Sequence, residues 1–127
     1  MRNRWVALGA GCCGLAVAAG ALGAHLLAAR LTAHELSLWE TACRYLFYGG
    51  CGQALAGLWG GATAGGPLRR GAQRAGWCLG LGTALFSGTV GAIALGGPAW
   101  LGAVTPLGGI LLIVGFGLLA IAARSGS

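Results

Sequence analysis

The side chains best able to do chemistry in this chain are a few ionisable and hydroxyl residues in its first half. Glu40 and Arg44 are four residues apart with the acid first, the favourable order for a pair on one helix face. His25 ends the first predicted helix, and a short turn would bring it beside them. Tyr45 and Tyr48 supply hydroxyl groups one turn further along. The sequence leaves two interpretations open: a binding site for a lipid headgroup, a quinone-like ring or a small polar solute, or a polar clasp that joins two helices.

Other kinds of chemistry lack their sequence signatures. The five cysteines form no C-x-x-C pair, and an odd set of this kind is typical of neither a disulfide framework nor a zinc site. The sequence has no nucleotide-binding loop and no Ser-His-Asp context. We therefore expect no catalytic residue, no metal and no cofactor, and we do not expect an enzyme.

The charges of the whole chain are few and unevenly spaced. Among 127 residues, 57% are apolar and 8% are charged, and the mean hydropathy is +0.79. In soluble domains about a quarter of residues are charged. The uncharged stretches are about 20 residues long, the length that a helix needs to cross a bilayer. The sequence thus predicts an all-α membrane protein, in which residues 1–127 form one bundle of four transmembrane helices at about 5–28, 41–62, 74–95 and 106–123.

The positions of the arginines predict how these helices are oriented. Six of the eight would fall on one side of a four-span chain, and they are Arg2, Arg4, Arg69, Arg70, Arg74 and Arg124. Arg30 and Arg44 would lie near the opposite side, where Glu35 and Glu40 offset them. Loops rich in arginine stay in the cytoplasm, so both termini are predicted to be cytoplasmic. The positive charge is then a topology signal beside anionic lipids, and we expect no nucleic acid partner.

The beginning of the chain has a second interpretation. A basic segment, an apolar run and a small-residue site at 19–21 would also suit a cleaved signal peptide. The apolar run is long enough to span, however, and three more predicted spans follow it. We therefore predict an uncleaved first helix. The second helix should begin near Ala33, because Thr32 and Glu35 have the spacing of a capping box.

The third predicted helix carries a stripe of small residues. They recur every four positions and include Gly76, Gly80, Ala84 and Gly88. Small residues at this spacing let a neighbouring helix approach closely in a membrane. The stripe therefore predicts a helix-packing surface.

Several stretches of the sequence resemble a known family. In order along the chain they are GALGAH at 20–25, WETA at 39–42 with Tyr45 and Tyr48, LFSGT at 85–89, and WLGAVTPLGG at 100–109. They resemble the YgdD-like family of small inner-membrane proteins, a domain-of-unknown-function family. The resemblance implies a four-helix integral membrane protein without an assigned activity. The family usually has a histidine directly after the tyrosine at Tyr48, where this chain has Gly49.

The functional prediction follows from an apolar, glycine-rich body with no catalytic pattern. We expect a multi-pass protein of the cell inner (plasma) membrane that acts as an accessory or assembly subunit of a larger membrane complex. Its partners would be the lipid bilayer and other membrane-protein subunits. The alternative is a binding or transport protein for a lipid or small solute. Its site would be the polar cluster of His25, Glu40 and Arg44, at the outer rim of the helix bundle. A membrane enzyme ranks third.

Overall fold

A computed structural model describes residues 3–62 and 66–125 of the chain. Four α-helices account for most of them: α1 (Arg4–His25), α2 (Ala33–Ala62), α3 (Pro67–Ala94) and α4 (Thr105–Ser125). Short 3-10 helices, Leu27–Ala29 and Ala99–Ala103, lie in two of the connections. The described residues contain no β-strand. The all-α prediction is therefore confirmed.

Side-chain caps set the beginnings of the first two helices. The Asn3 Oδ1 atom accepts a 3.2 Å hydrogen bond from the Val6 amide at the start of α1. At the start of α2, the Thr32 amide donates to Glu35 Oε1 at 2.9 Å, and the Glu35 amide donates to Thr32 Oγ1 at 3.1 Å. These bonds satisfy amides that have no partner inside a helix. The predicted capping box and the predicted start at Ala33 are confirmed.

The helices pack in chain order, so that α1 contacts α2, α2 contacts α3, and α3 contacts α4. Each neighbouring pair is antiparallel, because contacts join the start of one helix to the end of the next. The pairs that establish this are Asn3 with Gly57, Gly23 with Trp39, Gly60 with Ala72, Gly91 with Ala42, Gly71 with Ala122, and Thr89 with Thr105. The chain therefore runs up, down, up and down.

This arrangement collects most of the arginines at one end, which we call the basic end. Its described members are Arg4, Arg69, Arg70, Arg74 and Arg124, whereas Arg2 lies outside the described residues. Glu35, Glu40 and Arg30 belong to the opposite end, near the start of α2. The grouping is the one the sequence predicted, and the cytoplasmic orientation of the basic end stays a prediction.

Glycine allows the helices to approach closely. A Cβ atom placed on Gly50 of α2 would lie 2.7 Å from the Gly9 carbonyl oxygen of α1. One placed on Gly82 of α3 would lie 2.8 Å from the Gly108 carbonyl oxygen of α4. Helix association in lipid depends on van der Waals contact of this kind. Any larger residue at Gly50 or Gly82 would force the backbones apart.

Only the first half of the predicted α3 stripe packs against other helices of the chain. A Cβ atom on Gly76 would lie 2.6 Å from the Trp5 ring, and one on Gly80 would lie 2.7 Å from Gln53 Nε2. Ala84 and Gly88 are exposed instead, and a Cβ atom on Gly88 would meet nothing within 4 Å. A step of four residues overshoots one helical turn by roughly 40°. The stripe therefore winds away from the interface. The packed face follows a mixture of three- and four-residue steps, through Ala72, Gly76, Leu79, Thr83, Ser87, Val90 and Ala94.

Three of the helical segments are long and apolar enough to cross a bilayer, namely Arg4–Ala29, Arg69–Ala94 and Ala99–Arg124. The segment at 41–62, within α2, is not among them. Its 30-residue helix is ~45 Å long, so length is not the obstacle. α2 lies between α1 and α3, and its buried positions are mostly glycine, which lowers hydropathy without exposing polar groups to lipid. Three predicted spans are thus confirmed as candidates, and the fourth stays a prediction.

Candidate functional site

A groove lies on the protein surface between α1 and α2, and its volume is about 420 Å³. We call it the α1–α2 groove. Its lining residues are Ala16, Val17 and Gly20 of α1, and Glu40, Cys43, Arg44, Phe47 and Tyr48 of α2. Three of the five predicted site residues, Glu40, Arg44 and Tyr48, are therefore brought together.

The α2 side of the groove follows from helical spacing. Glu40, Arg44 and Tyr48 are four residues apart in turn, so that they lie one above another on one face. The α1 side contributes the small residues Ala16 and Gly20, which leave room between the helices. The result is an apolar trough with one acid and one base near one end. A molecule with an apolar body and a polar head matches this distribution.

The two charges of the groove are not paired with each other. Glu40 and Arg44 are both exposed, and no ion pair with a nitrogen–oxygen distance of 4.0 Å or less joins them in the described chain. No hydrogen bond joins either one to His25 in the same part of the structure. This geometry does not support the clasp interpretation, and both charged groups remain accessible to a ligand.

Tyr45 and His25 lie outside the groove lining. The Tyr45 ring packs against Phe86 of α3, with ring centroids 4.4 Å apart, and stands edge-on to Tyr48 at 5.4 Å. Tyr45 therefore supports Tyr48 from the side. His25 is exposed at the end of α1 and is five residues beyond Gly20, which places it roughly 140° around the helix from the groove. The binding roles of these five residues stay predictions.

Trp39 makes one of the contacts that join α1 to α2 at this end, a role that the sequence did not indicate. Its indole nitrogen donates a 2.8 Å hydrogen bond to the Ala19 carbonyl oxygen. The same ring covers Gly23, where a Cβ atom would lie 2.7 Å from Trp39 Cδ1. The sequence signal that could have indicated this contact is Gly23, because a glycine one turn beyond Ala19 leaves space on α1 for an indole ring.

The cysteines show one further arrangement that the sequence did not predict. Cys13 of α1 and Cys51 of α2 have their Sγ atoms 3.7 Å apart, and Cys12 lies 3.7 Å from Gln53 Oε1. All five cysteines are free thiols. Within the described residues, no group of three or more His, Cys, Asp or Glu side chains has a geometry suited to a metal ion.

Gly49 is buried against α3, directly beside Thr83. A Cβ atom at this position would overlap the Thr83 hydroxyl group. The histidine that the family resemblance leads one to expect here would not fit unless Thr83 were also changed. Glycine at position 49 therefore fits the close packing of α2 against α3 in this chain.

The fold and the apolar helices define a small, all-helical, multi-pass membrane protein. A family model described as a protein of unknown function, DUF423, matches residues 19–109, and the chain belongs to this family. The predicted resemblance to a family of small membrane proteins without an assigned function is thereby confirmed, as is the predicted multi-pass membrane location.

Three relatives illustrate the similarity. The chain is 39% identical over 117 residues to a UPF0382 membrane protein of Staphylococcus haemolyticus, and the match covers 92% of each chain. A UPF0382 membrane protein of Staphylococcus epidermidis is 40% identical over 87 residues, which cover 68% of this chain and 67% of the relative. One of Staphylococcus saprophyticus is 39% identical over 86 residues, which cover 68% of each chain. No solved structure matches the chain significantly.

Proposed function

We propose that this protein is a non-enzymatic accessory or assembly subunit that docks a transmembrane helix of a larger membrane complex against α1. The supporting observation is the outer face of α1. This helix contacts α2 and has no comparable contact with α4 in the described chain. Its outer face consists of small exposed residues, namely Ala7, Gly11, Gly14, Ala18 and Ala21.

These residues do not serve packing inside the chain. A Cβ atom on Gly11 or Gly14 would meet nothing within 4 Å. Gly14 lies roughly 200° around the helix from Ala16, which is buried on the α2 side. Lipid chains pack well against leucine, whereas small residues favour the close approach of another helix backbone. An outward face of glycine and alanine is therefore better suited to a helix than to lipid.

The neighbouring face of α1 provides a matched control. Leu8 and Leu15 are 52% and 61% exposed, and they lie roughly 100–140° around the helix from Gly14 and Ala21. The two faces belong to the same helix and have similar depths in the membrane. They differ in side-chain size, which is the property on which the proposal depends.

The test is site-specific photocrosslinking in native membranes, with the probe at Gly14 or Ala21 compared with Leu8 or Leu15. The proposal predicts one defined membrane-protein adduct from the small face and diffuse lipid adducts from the leucine face. Gly14→Leu should then abolish comigration with that partner in a gentle detergent, and Leu15→Ala should preserve it. Equal adducts from both faces would contradict the proposal, and adducts with a second copy of the chain would replace it with a homodimer.

A second candidate function is the binding or transport of a lipid or small solute in the α1–α2 groove. The unpaired charges of Glu40 and Arg44 beside an apolar trough favour it. Glu40→Gln and Arg44→Met should each leave the melting temperature nearly unchanged, since exposed charges contribute little to stability. Each should lower the amount of copurified small molecule measured by mass spectrometry, whereas Arg30→Gln, outside the groove, should not. A large loss of stability in the single variants, recovered in the double variant, would revive the clasp interpretation.

A further inference from the structure

A second cavity lies at the basic end of the molecule, between α1, α2 and α3. Its volume is about 640 Å³, within the range of pockets that hold small ligands. The polar side chains that line it are Asn3, Arg4, Arg69 and Gln73, and Trp5 forms part of its wall. We call it the basic-end pocket. It is separate from the α1–α2 groove, because the two share no lining residue.

The charge of this pocket has one sign. Arg4 comes from α1 and Arg69 from α3, so two different helices each contribute an arginine to the lining of the pocket. None of its described lining residues is acidic. Glu35 and Glu40, the two acidic residues of the chain, both lie near the start of α2, at the far end of the helices. A ligand with negative charge therefore meets attraction here without a competing carboxylate.

Aromatic contacts hold the first arginine in place. The Arg4 guanidinium carbon lies 5.4 Å from the centre of the Trp5 ring and 5.7 Å from that of Trp77. The two indoles stand edge to face with their centroids 5.3 Å apart. Cation–π contacts at such distances are favourable. Arg4 is therefore oriented before a ligand arrives, which lowers the entropic cost of binding.

Two side-chain amides are also fixed at the pocket wall. The Trp5 indole nitrogen donates a 2.8 Å hydrogen bond to Gln73 Oε1, so the Gln73 amide nitrogen remains as a donor. The Asn3 Nδ2 atom donates to the Gly57 carbonyl oxygen at 2.7 Å, which holds Asn3 between α1 and α2. Planar guanidinium groups with amide donors beside them are well matched to the oxygen atoms of a phosphate group.

We propose that the basic-end pocket binds a phosphate ester anion, held between Arg4 and Arg69. The phosphate group has two sources compatible with this chemistry: the headgroup of an anionic phospholipid at the membrane surface, or a water-soluble phosphate ester. The position of the pocket at the arginine-rich end of the helices suits both. Phosphate binding in this pocket does not depend on helix docking against α1, so that either proposal can be contradicted without affecting the other.

The test uses the full-length protein purified in detergent, with its melting temperature and native mass spectrum as readouts. The probes are phosphatidylglycerol in mixed micelles and glycerol 3-phosphate in solution, each compared with a neutral diacylglycerol or glycerol. The variants are Arg4→Gln and Arg69→Gln. The matched controls are Arg70→Gln and Arg74→Gln, which remove the same charge at the same end but do not line the pocket.

We expect phosphatidylglycerol to raise the melting temperature and to remain bound as one molecule in the mass spectrum. Arg4→Gln and Arg69→Gln should each weaken binding by ~tenfold or more, because each removes a charge-assisted hydrogen bond, and the controls should bind as the native protein does. Stabilisation by glycerol 3-phosphate alone would support the pocket and assign it to a soluble ester. Arg69 takes no part in the indole contacts, so Arg69→Gln remains informative if Arg4→Gln lowers stability without any ligand. No response to either probe, or equal weakening in all four variants, would overturn the proposal.

Discussion

The indole nitrogen of Trp39 lies 2.8 Å from the carbonyl oxygen of Ala19, and this hydrogen bond joins α2 to α1 beside the α1–α2 groove. The Trp39 ring lies over Gly23, the residue one turn beyond Ala19. The bond is side chain to backbone, so it fixes the relative height of the two helices. On α2, Glu40 is the next residue after Trp39 and Arg44 follows about one turn later, so this contact helps to position the groove residues against α1.

The first prediction concerns the space beneath this indole. Gly23→Ala should lower the free energy of unfolding by about 1–3 kcal/mol, because the new Cβ atom would lie 2.7 Å from Trp39 Cδ1. Gly14→Ala on the same helix is the matched control, since a Cβ atom there meets nothing within 4 Å. Thermal unfolding in detergent compares the two. Equal stability of both variants would show that Trp39 does not pack on Gly23.

The second prediction separates the two halves of the α3 stripe. Gly80→Leu should destabilise the protein strongly, because even a Cβ atom at this position would lie 2.7 Å from Gln53 Nε2. Gly88→Leu should be tolerated, because the space around Gly88 is open. Melting curves of the two variants in the same detergent provide the measurement. A larger loss of stability for Gly88→Leu than for Gly80→Leu would mean that the packed face of α3 is misassigned.

The third prediction uses the native thiols to check the register of α1 against α2. The Cys13 and Cys51 sulfur atoms are 3.7 Å apart, so a movement of about 2 Å would allow a disulfide bond. Copper-phenanthroline should oxidise them, with two electrons and two protons removed from the two thiols. Peptide mapping should find Cys13 linked to Cys51 within one chain, and Cys13→Ser should abolish the link while Cys78→Ser preserves it. A dominant link to Cys43 would contradict the register.

Much of the fold was accessible from the sequence because strong local signals determine it. The charge-free stretches marked the helices, and the spacing of Thr32 and Glu35 marked the start of α2. The α3 stripe packs within the chain over only its first half, because a strict four-residue repeat drifts around a helix with 3.6 residues per turn. His25 was expected beside Glu40 from its proximity in the chain, and the direction of its side chain on α1 could not be derived without the helix pairing.

The site at the basic end was missed for a related reason. Arg4 and Arg69 were interpreted only as topology signals, and nothing in their sequence positions indicates that they share a cavity. Their proximity depends on the antiparallel pairing of α1 with α2 and of α2 with α3, and on the bond between Trp5 and Gln73. Long-range relationships of this kind become visible only when the helices are assembled.

We predict that α2 crosses the membrane with the other three helices and leaves the basic end in the cytoplasm. Cysteine accessibility at the two ends of α2 tests it most directly. Ala29 lies just before this helix and Ala62 is its last residue. Both are exposed and uncharged, so that Ala29→Cys and Ala62→Cys leave the arginine pattern intact. Each would be introduced into a variant whose five native cysteines are replaced by alanine or serine.

A membrane-impermeant maleimide applied to intact cells should label Ala29→Cys at once and Ala62→Cys only after the membrane is permeabilised. Labelling of both positions from the same side would mean that α2 does not cross the bilayer and that the protein has three spans. Labelling of Ala62→Cys alone from outside would mean that the basic end faces away from the cytoplasm.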